Sequence, residues 1–290
     1  MRILLASDGS PEAMQAAEWV ATSGLANSAS VLILSVVTSP AVHVLPSAAA
    51  DALCEEARNS AVATRAVFEA RDTAAEIRIG EGDARNEIMR VADEWDADVV
   101  VVGSRGVGRT EAFFLGTVSR DVVRHCTRPV LVVKGRTRTL RLAVVAVDGS
   151  QYALNALRFF ARWPRPAGLT VRVVGVVEPL PLPRTAPAMI RPELHAAVAV
   201  AQGERRRALE QAFEEARPPL AGGATTETLA YGHPAAELLR VAQESAADLI
   251  VLGARGLGAV QRVLLGSVSE AVLRDARCAV LIAARPRASS

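Results

Sequence analysis

Lysine is almost absent from this chain. Among 33 basic side chains in 290 residues, Lys134 is the only lysine. A Walker-type phosphate loop needs Gly-x4-Gly-Lys-[Ser/Thr], and Lys134 has no such context, so a P-loop NTPase is excluded. Cysteine is scarce as well. Cys54, Cys126 and Cys278 are odd in number and no two sit at metal-ligand spacing. That pattern fits small buried apolar residues in a reducing compartment rather than a disulfide framework. Aromatics make up only 4% while half of all residues are hydrophobic, so the core is aliphatic. No stretch approaches the roughly 20 apolar residues of a membrane helix. The apolar run of Met1–Ser7 is too short for a signal peptide. The expectation is a soluble cytoplasmic protein with no membrane partner. Neither sign of charge dominates: 33 basic against 31 acidic residues leave a net +2. That balance gives no case for a nucleic-acid surface.

What the chain does have is itself, twice. Val147-Asp148-Gly149-Ser150 echoes Ser7-Asp8-Gly9-Ser10, Gly253-Ala254-Arg255-Gly256-Leu257-Gly258 echoes Gly103-Ser104-Arg105-Gly106-Val107-Gly108, and Leu265-Gly266-Ser267-Val268-Ser269 echoes Leu115-Gly116-Thr117-Val118-Ser119. From Gly82 to Val133 the second copy follows at a constant offset of 150, with about 21 of 52 pairs identical, far above chance. Near the start of the copies the offset is closer to 140, which places about ten extra residues in the middle of the second copy, in the proline-rich stretch Pro179–Pro192. Two domains are read, 1–134 and 140–284, joined by the polar, basic segment Lys134–Leu140, a solvated linker.

In the first copy, apolar runs predict strands at Ile3–Ser7, Val31–Val37, Ala75–Ile79, Asp98–Val102 and Val130–Val133. Helices are predicted at Pro11–Leu25, Asp51–Arg71, Ala84–Trp95 and from Thr117 to before Pro129. Ser10 and Pro11 form a helix start. Alternating strands and helices make each copy a doubly wound α/β unit, a five-stranded parallel sheet with helices on both faces. Right-handed crossovers favour strand order 3-2-1-4-5. Winding then reverses between the first and fourth strands, where ligands bind in such sheets. Those strand ends carry Asp8 and Gly103, residues the chain repeats.

The segment Gly103-x2-Gly106-x9-Gly116-Thr117 and its counterpart Gly253-x2-Gly256-x9-Gly266-Ser267 run from a buried strand into a helix. Glycine lets the backbone turn sharply and approach a ligand. The first-turn N–H groups and the hydroxyls of Thr117 and Ser119, or Ser267 and Ser269, are expected to face an anion. Arg105 and Arg255 are placed to add positive charge.

This G-x2-G-x9-G-[S/T] pattern, with an aspartate after the first strand, resembles the ATP-binding type of universal stress protein in its tandem form. The resemblance spans residues 2–134 and 140–284. It implies ATP as the ligand, with Mg²⁺ on its phosphates, one site per copy. Asp8 and Asp148 match the family's acidic residue near adenine. Val36 and Val176 match the position whose backbone meets the adenine edge, and Gly103 and Gly253 lie near the ribose. Gly106, Gly116, Thr117, Val118 and Ser119 match the phosphate cradle, as do Gly256, Gly266, Ser267, Val268 and Ser269. Arg105, Gly108, Arg255 and Gly258 belong to the same loops. The family often pairs through its fifth strands, here Val130–Val133 and Val280–Ala283. It leaves room for a homodimer and for a protein partner of unstated identity. The chain departs from the pattern in small ways: Thr117 where serine is commoner, Gly82-Asp83-Ala84 against Gly232-His233-Pro234, and Ala279 against Pro129.

The implied function is ATP-binding stress-response regulation without catalysis. Two alternatives compete. An ATP-dependent enzyme, a slow ATPase or an adenylating enzyme, lacks its signatures: no Ser-Gly-Gly-x-Asp-Ser loop, no His-x-Gly-His and no Gly-x-Ser-x-Gly elbow occurs. An interaction scaffold with degenerate sites would have lost Gly106, Gly116, Gly256 or Gly266, and all are present. His43, His125, His195 and His233 have no ligand spacing. Trp19, Trp95 and Trp163 read as packing residues, and Glu204–Arg207 as a solvated helix face.

Overall fold

The structure is a computed structural model. It describes residues 1–27, 29–38, 47–106, 115–135, 139–164, 166–180, 191–221, 223–256 and 265–283. The first repeat runs β1 (Arg2–Ala6), α1 (Pro11–Thr22), β2 (Ser30–Val37), α2 (Ser47–Glu69), β3 (Ala75–Glu81), α3 (Ala84–Glu94), β4 (Val99–Gly103), α4 (Thr117–His125) and β5 (Val130–Val133). The second runs β6 (Leu142–Val147), α5 (Gln151–Ala161), β7 (Thr170–Val177), α6 (Arg191–Leu220), β8 (Ala224–Tyr231), α7 (Pro234–Glu244), β9 (Leu249–Gly253), α8 (Ser267–Asp275) and β10 (Ala279–Ala283).

Local chemistry sets the boundaries. Ser10 Oγ accepts from Ala13 N at 3.2 Å, and Pro11 occupies the first helical position. α1 stops at Thr22 rather than Leu25 because Ser23 caps it and Gly24 turns left-handed at φ +81°, the usual glycine exit from a helix. α5 starts in the same way on Ser150. β3 runs two residues beyond the expected Ile79, because its pairing with β2 continues to Val37↔Glu81. β10 starts one residue earlier than its counterpart: Ala279 donates its N–H to Asp248 O at 3.2 Å, a bond that Pro129 cannot make. Part of the insertion in the second repeat lengthens a helix, since α6 has 30 residues against 23 in α2. The rest of the Pro179–Pro192 stretch falls largely on 181–190, outside the described residues.

Each repeat has strand order 3-2-1-4-5, as expected. The two join into one ten-stranded sheet, β3-β2-β1-β4-β5-β10-β9-β6-β7-β8. β5 and β10 pair antiparallel, with Val132↔Val280, Leu131↔Leu281 and Val130↔Ile282 in register. The other neighbouring strands pair parallel. Two apolar layers run through both repeats. One holds Trp19, Phe68, Phe160 and Phe213 under α1, α2, α5 and α6. The other holds Ile88, Val122, Leu238 and Val272 under α3, α4, α7 and α8.

The seam between the repeats is packed more tightly than a solvated linker. After β5, Lys134 Nζ donates to the carbonyls of Leu273 and Arg274 at the C-terminus of α8, where a cation complements the helix dipole. Leu140 is buried, and residues 136–138 lie outside the described residues. Arg124, in the last turn of α4, pairs with Glu270 in the first turn of α8. A cavity of about 400 Å³ opens beside Lys134, lined in part by Gln243, Ala246, Ala247 and Cys278. At the offset of 150 these match Asp93, Asp96, Ala97 and Arg128. In the first repeat that space holds the Arg128 guanidinium, 3.1 Å from Asp93 Oδ1, 3.0 Å from Asp96 Oδ1 and 2.9 Å from Ala97 O. The cavity lies where the first repeat has Arg128 and the second has Cys278.

Arg128→Ala is expected to lower the free energy of unfolding by about 2–3 kcal/mol, since charge-assisted hydrogen bonds of a buried guanidinium are lost. Unchanged urea unfolding would refute the clamp. A second expectation concerns alkaline pH. Burial lowers the Lys134 amine from 10.5 to about 8, partly opposed by Asp275. Burial raises the Cys278 thiol from 9.0 to about 12. Between pH 8 and 10.5 the unfolded chain keeps a lysine proton that the folded chain releases, so this group makes stability rise with pH. Above pH 9 the folded chain keeps a thiol proton that the unfolded chain releases, so stability falls. Burial raises the Cys126 thiol as well, so in a Cys126→Ser background thermal unfolding of Lys134→Met should show stability falling from pH 9 to 10.5, and Cys278→Ser should show it rising. Identical slopes in both variants would contradict the assignment.

Candidate functional site

In each repeat the chain leaves the first and fourth strands in opposite directions, and a cavity opens between their C-terminal ends. The first has a volume of about 470 Å³ and is lined by Asp8, Val36, Gly103, Arg105, Gly106, Gly116, Thr117, Val118 and Ser119 among others. The second, about 490 Å³, is lined by Asp148, Val176, Gly253, Arg255, Gly256, Gly266, Ser267, Val268 and Ser269 among others. The structure thus brings all these sequence-predicted residues to one cavity per repeat. Gly108 and Gly258 lie outside the described residues.

The frame is the same in both repeats. Asp8 Oδ1 accepts from Ser10 N at 3.1 Å, and Asp148 Oδ1 from Ser150 N at 2.9 Å, which fixes the turn after the first strand. Gly116 N donates to Ser104 O and Gly266 N to Ala254 O, each at 2.8 Å. These bonds close the neck of the long glycine loop and hold the start of α4 or α8 beside the strand end. The N-caps of α4 and α8 are Gly116 and Gly266, with no side-chain cap hydrogen bond. By contrast, Ser10, Asp83 and Ser150 cap α1, α3 and α5. A helix leaves its first N–H groups unsatisfied. At α4 and α8 no side chain covers them, and the first turn lines the cavity.

The glycines have separate reasons. A Cβ on Gly103 would lie 2.8 Å from the carbonyl of Glu12, and one on Gly253 would lie 2.6 Å from the carbonyl carbon of Tyr152. Both therefore serve close packing of the strand end on α1 or α5, a role beyond ligand approach. A Cβ on Gly106 or Gly256 would lie 2.5 Å from Asp8 Oδ2 or Asp148 Oδ2, inside the cavity.

Two expectations need correction. Ser119 and Ser269 were expected to aim their hydroxyls at an anion. They are buried and donate instead to Gly103 O at 2.7 Å and Gly253 O at 2.8 Å, tying helix to strand end. Of the four hydroxyl-bearing residues at the two helix starts, Thr117 and Ser267 are exposed. The arginines do line the cavities, but their side chains rest on the first turn of the neighbouring helix. Arg105 pairs with Glu12 at 2.7 Å. Arg255 lies over the Tyr152 ring with its guanidinium carbon 5.7 Å from the centroid.

The structure also adds residues beyond the predicted site. Ser7, Ser35, Glu56 and Ser60 line the first cavity, the last two from α2. Beneath it, Ser7 and Thr64 share a buried hydroxyl hydrogen bond of 2.7 Å. In the second repeat Val147 and Gly175 replace Ser7 and Ser35, and Glu178 lies at the strand end. Helix α2 has no spacing signature, so its contribution could not be read from the chain. The Asp83/His233 departure acquires a cause: Asp83 caps α3, whereas α7 starts on His233 with Pro234 and no side-chain cap.

The sequence model of the universal stress protein family matches residues 1–134 and 140–284. The chain belongs to this family. It carries two universal stress protein segments in tandem. A universal stress protein of Mycobacterium tuberculosis is 28% identical over 65% of this chain and 62% of its own length. One from Synechocystis is 26% identical over 64% of this chain and 58% of its own. One from Methanocaldococcus jannaschii is 45% identical over 19% of this chain and 33% of its own. The chain thus matches less than two thirds of the length of these curated relatives. The crystal structure of a universal stress protein from Archaeoglobus fulgidus superposes with a TM-score of 0.68 at 22% identity, over 98% of both chains. A putative universal stress protein from Pseudomonas aeruginosa gives 0.58 at 16%, over 98% and 92%. These two establish the shared fold. No helix among the described residues is long and apolar enough to cross a membrane.

The separate reasons for the glycines are testable. Gly103→Ala should lower the melting temperature by several degrees, because its Cβ meets backbone. Gly106→Ala should leave melting nearly unchanged, because only the Asp8 side chain must turn. Scanning calorimetry of the two variants decides this, and equal losses would refute it.

Proposed function

We propose that this tandem universal stress protein is a regulatory binding protein holding one ATP in each repeat, with Mg²⁺ carried on the phosphates. The observation that carries the reading is the pair of helix starts at Gly116 and Gly266, left without a side-chain cap and lining a cavity. Such a helix start offers N–H groups and dipole charge to a phosphate. The cavities fall within the 300–1,000 Å³ range common to small-molecule sites. Gly106 and Gly256 leave space in them that a side chain would fill.

In this reading Thr117 and Val118, or Ser267 and Val268, hold phosphate oxygens through the backbone and one hydroxyl. Asp8 and Asp148 serve the nucleoside end, together with the backbone at Val36 and Val176. Bound Mg²⁺ would neutralise phosphate charge. Among the described residues no three His, Cys, Asp or Glu side chains cluster to hold a metal, so the phosphates themselves would be its main ligands. The chain would act by changing its association with a protein partner or a second copy as the sites fill.

Nucleotide released from the purified, denatured protein and counted per chain tests this. Close to two ATP per chain is expected, and Gly116→Val together with Gly266→Val should remove both. Absence of nucleotide as purified, with none taken up from millimolar Mg-ATP, would sink the reading.

A further inference from the structure

Pairing through the fifth strands is already complete inside the chain, where β5 meets β10, so a second copy must use another face. The first half of α6 offers one. None of residues 193–208 is buried, and burial along the helix begins at Leu209. A helical stretch of that length without an apolar face in the core has little to hold it in water. Gly203 adds to the problem. Glycine is unfavourable inside a helix, and a Cβ built on Gly203 meets no atom within 4 Å, so packing among the described residues does not require it. Val200, on the same stretch, is 62% exposed.

Charge is distributed about Val200 in opposite senses. Glu193 lies seven residues before it and Arg207 seven residues after. At 3.6 residues per turn both fall within about 20° of Val200 around the helix, Ala196 and Glu204 within about 40°, and Ala197 and Gly203 within about 60°. All of these except Gly203 are exposed. The neighbouring arginines are engaged within the second repeat: Arg205 Nη1 donates to Glu178 O at 3.1 Å, and Arg206 pairs with Glu210 at 2.9 Å. Glu193, Glu204 and Arg207 enter no ion pair among the described residues. The face thus runs from a carboxylate through a small apolar centre to a guanidinium, over about 21 Å of helix. Such a face complements itself when a second copy is turned end for end. Val200 then meets Val200, Glu193 meets Arg207, and Ala197 meets Gly203, where small side chains let the two helix backbones approach. Glu204 lies against Ala196 at the flank. A parallel arrangement would set Glu193 on Glu193 and Arg207 on Arg207.

We propose that the first half of α6 is a homodimer surface, on which two copies of the chain pair antiparallel about a twofold axis at Val200. The contact is isologous, the same patch on both copies. Its apolar centre supplies the attraction, and the two Glu193–Arg207 pairs set orientation and register. A face of four helical turns stands at the small end of specific interfaces, below about 1,200 Å² in total, so dimer and monomer exchange with concentration. The surface is independent of the nucleotide reading.

Sedimentation equilibrium of the full chain, from low micromolar to submillimolar concentration, tests this. A monomer–dimer equilibrium is expected. Val200→Asp should weaken association about tenfold or more, since it places a charge at the centre of the contact. Glu193→Arg should weaken it several-fold, as should Arg207→Glu, and the two reversals together in one chain should restore it. Each substituted side chain is exposed, so the variants keep the fold. Cross-linking reads the orientation. Val200→Cys should give a disulfide-linked dimer on mild oxidation that the unsubstituted chain does not form. Glu193→Cys should not, because its two copies lie about 21 Å apart in the antiparallel pair. A chain that stays monomeric throughout the range, a dimer unmoved by Val200→Asp, or charge reversals that the double reversal does not rescue would each overturn the proposal.

Discussion

The antiparallel pairing of β5 with β10 is the contact on which the rest of the molecule depends. Both strands are buried along their whole length. Their side chains alternate between the two apolar layers: Leu131 and Leu281 on one side, Val130, Val132, Val280 and Ile282 on the other. A strand apolar on both faces and open at its edge would expose backbone donors and acceptors beside apolar surface, a template for aggregation. Each repeat ends on such a strand, and each supplies the other's missing neighbour. The pairing fuses two five-stranded sheets into one, lets both apolar layers run uninterrupted, and brings the end of α4 within ion-pair reach of the start of α8 at the seam. There Arg124 meets Glu270, and Lys134 reaches the end of α8. The N-terminus of α8 belongs to the second cavity, so the seam and that cavity share one nine-residue helix.

Duplication gave the chain two versions of each local problem, and the differences between them are informative. The space that Arg128 fills in one repeat is a cavity beside Cys278 in the other. The loop arginine faces Glu12 in one repeat and Tyr152 in the other. In both cases the backbone frame is shared while the side chain at the matched position differs in charge. Sheet register and helix starts are constrained by every neighbouring strand, whereas a side chain at a helix's first turn is constrained only by the few groups it touches. Electrostatics can thus diverge between repeats without disturbing the fold.

The glycine pattern was legible in the chain, but its reasons were only partly so. Gly106 and Gly256 stand where a cavity needs room. Gly103 and Gly253 stand where a strand end presses on a helix backbone more than a hundred positions earlier in the case of the second repeat's Tyr152, and about ninety in the case of Glu12. No local rule connects residues so far apart. The same holds for the hydroxyls of Ser119 and Ser269. Their spacing after the glycine suggested an anion, and the fold instead directs them to the carbonyls of Gly103 and Gly253. Glu56 and Ser60 reach the first cavity only because α2 packs across β2.

By itself the sequence determined the repeat, the alternation of strands and helices, the strand order and the place where two strand ends part. These follow from hydrophobic period, turn residues and the handedness of crossovers, all of which act over short stretches of chain. Tertiary structure alone decided which hydroxyls tie a helix to a strand end, which arginine meets a carboxylate and which an aromatic ring, which glycine serves packing, and that Lys134 leaves its polar segment to cap a helix of the other repeat. Each of those outcomes depends on distances between residues remote in sequence, and such distances exist only once the two sheets have become one.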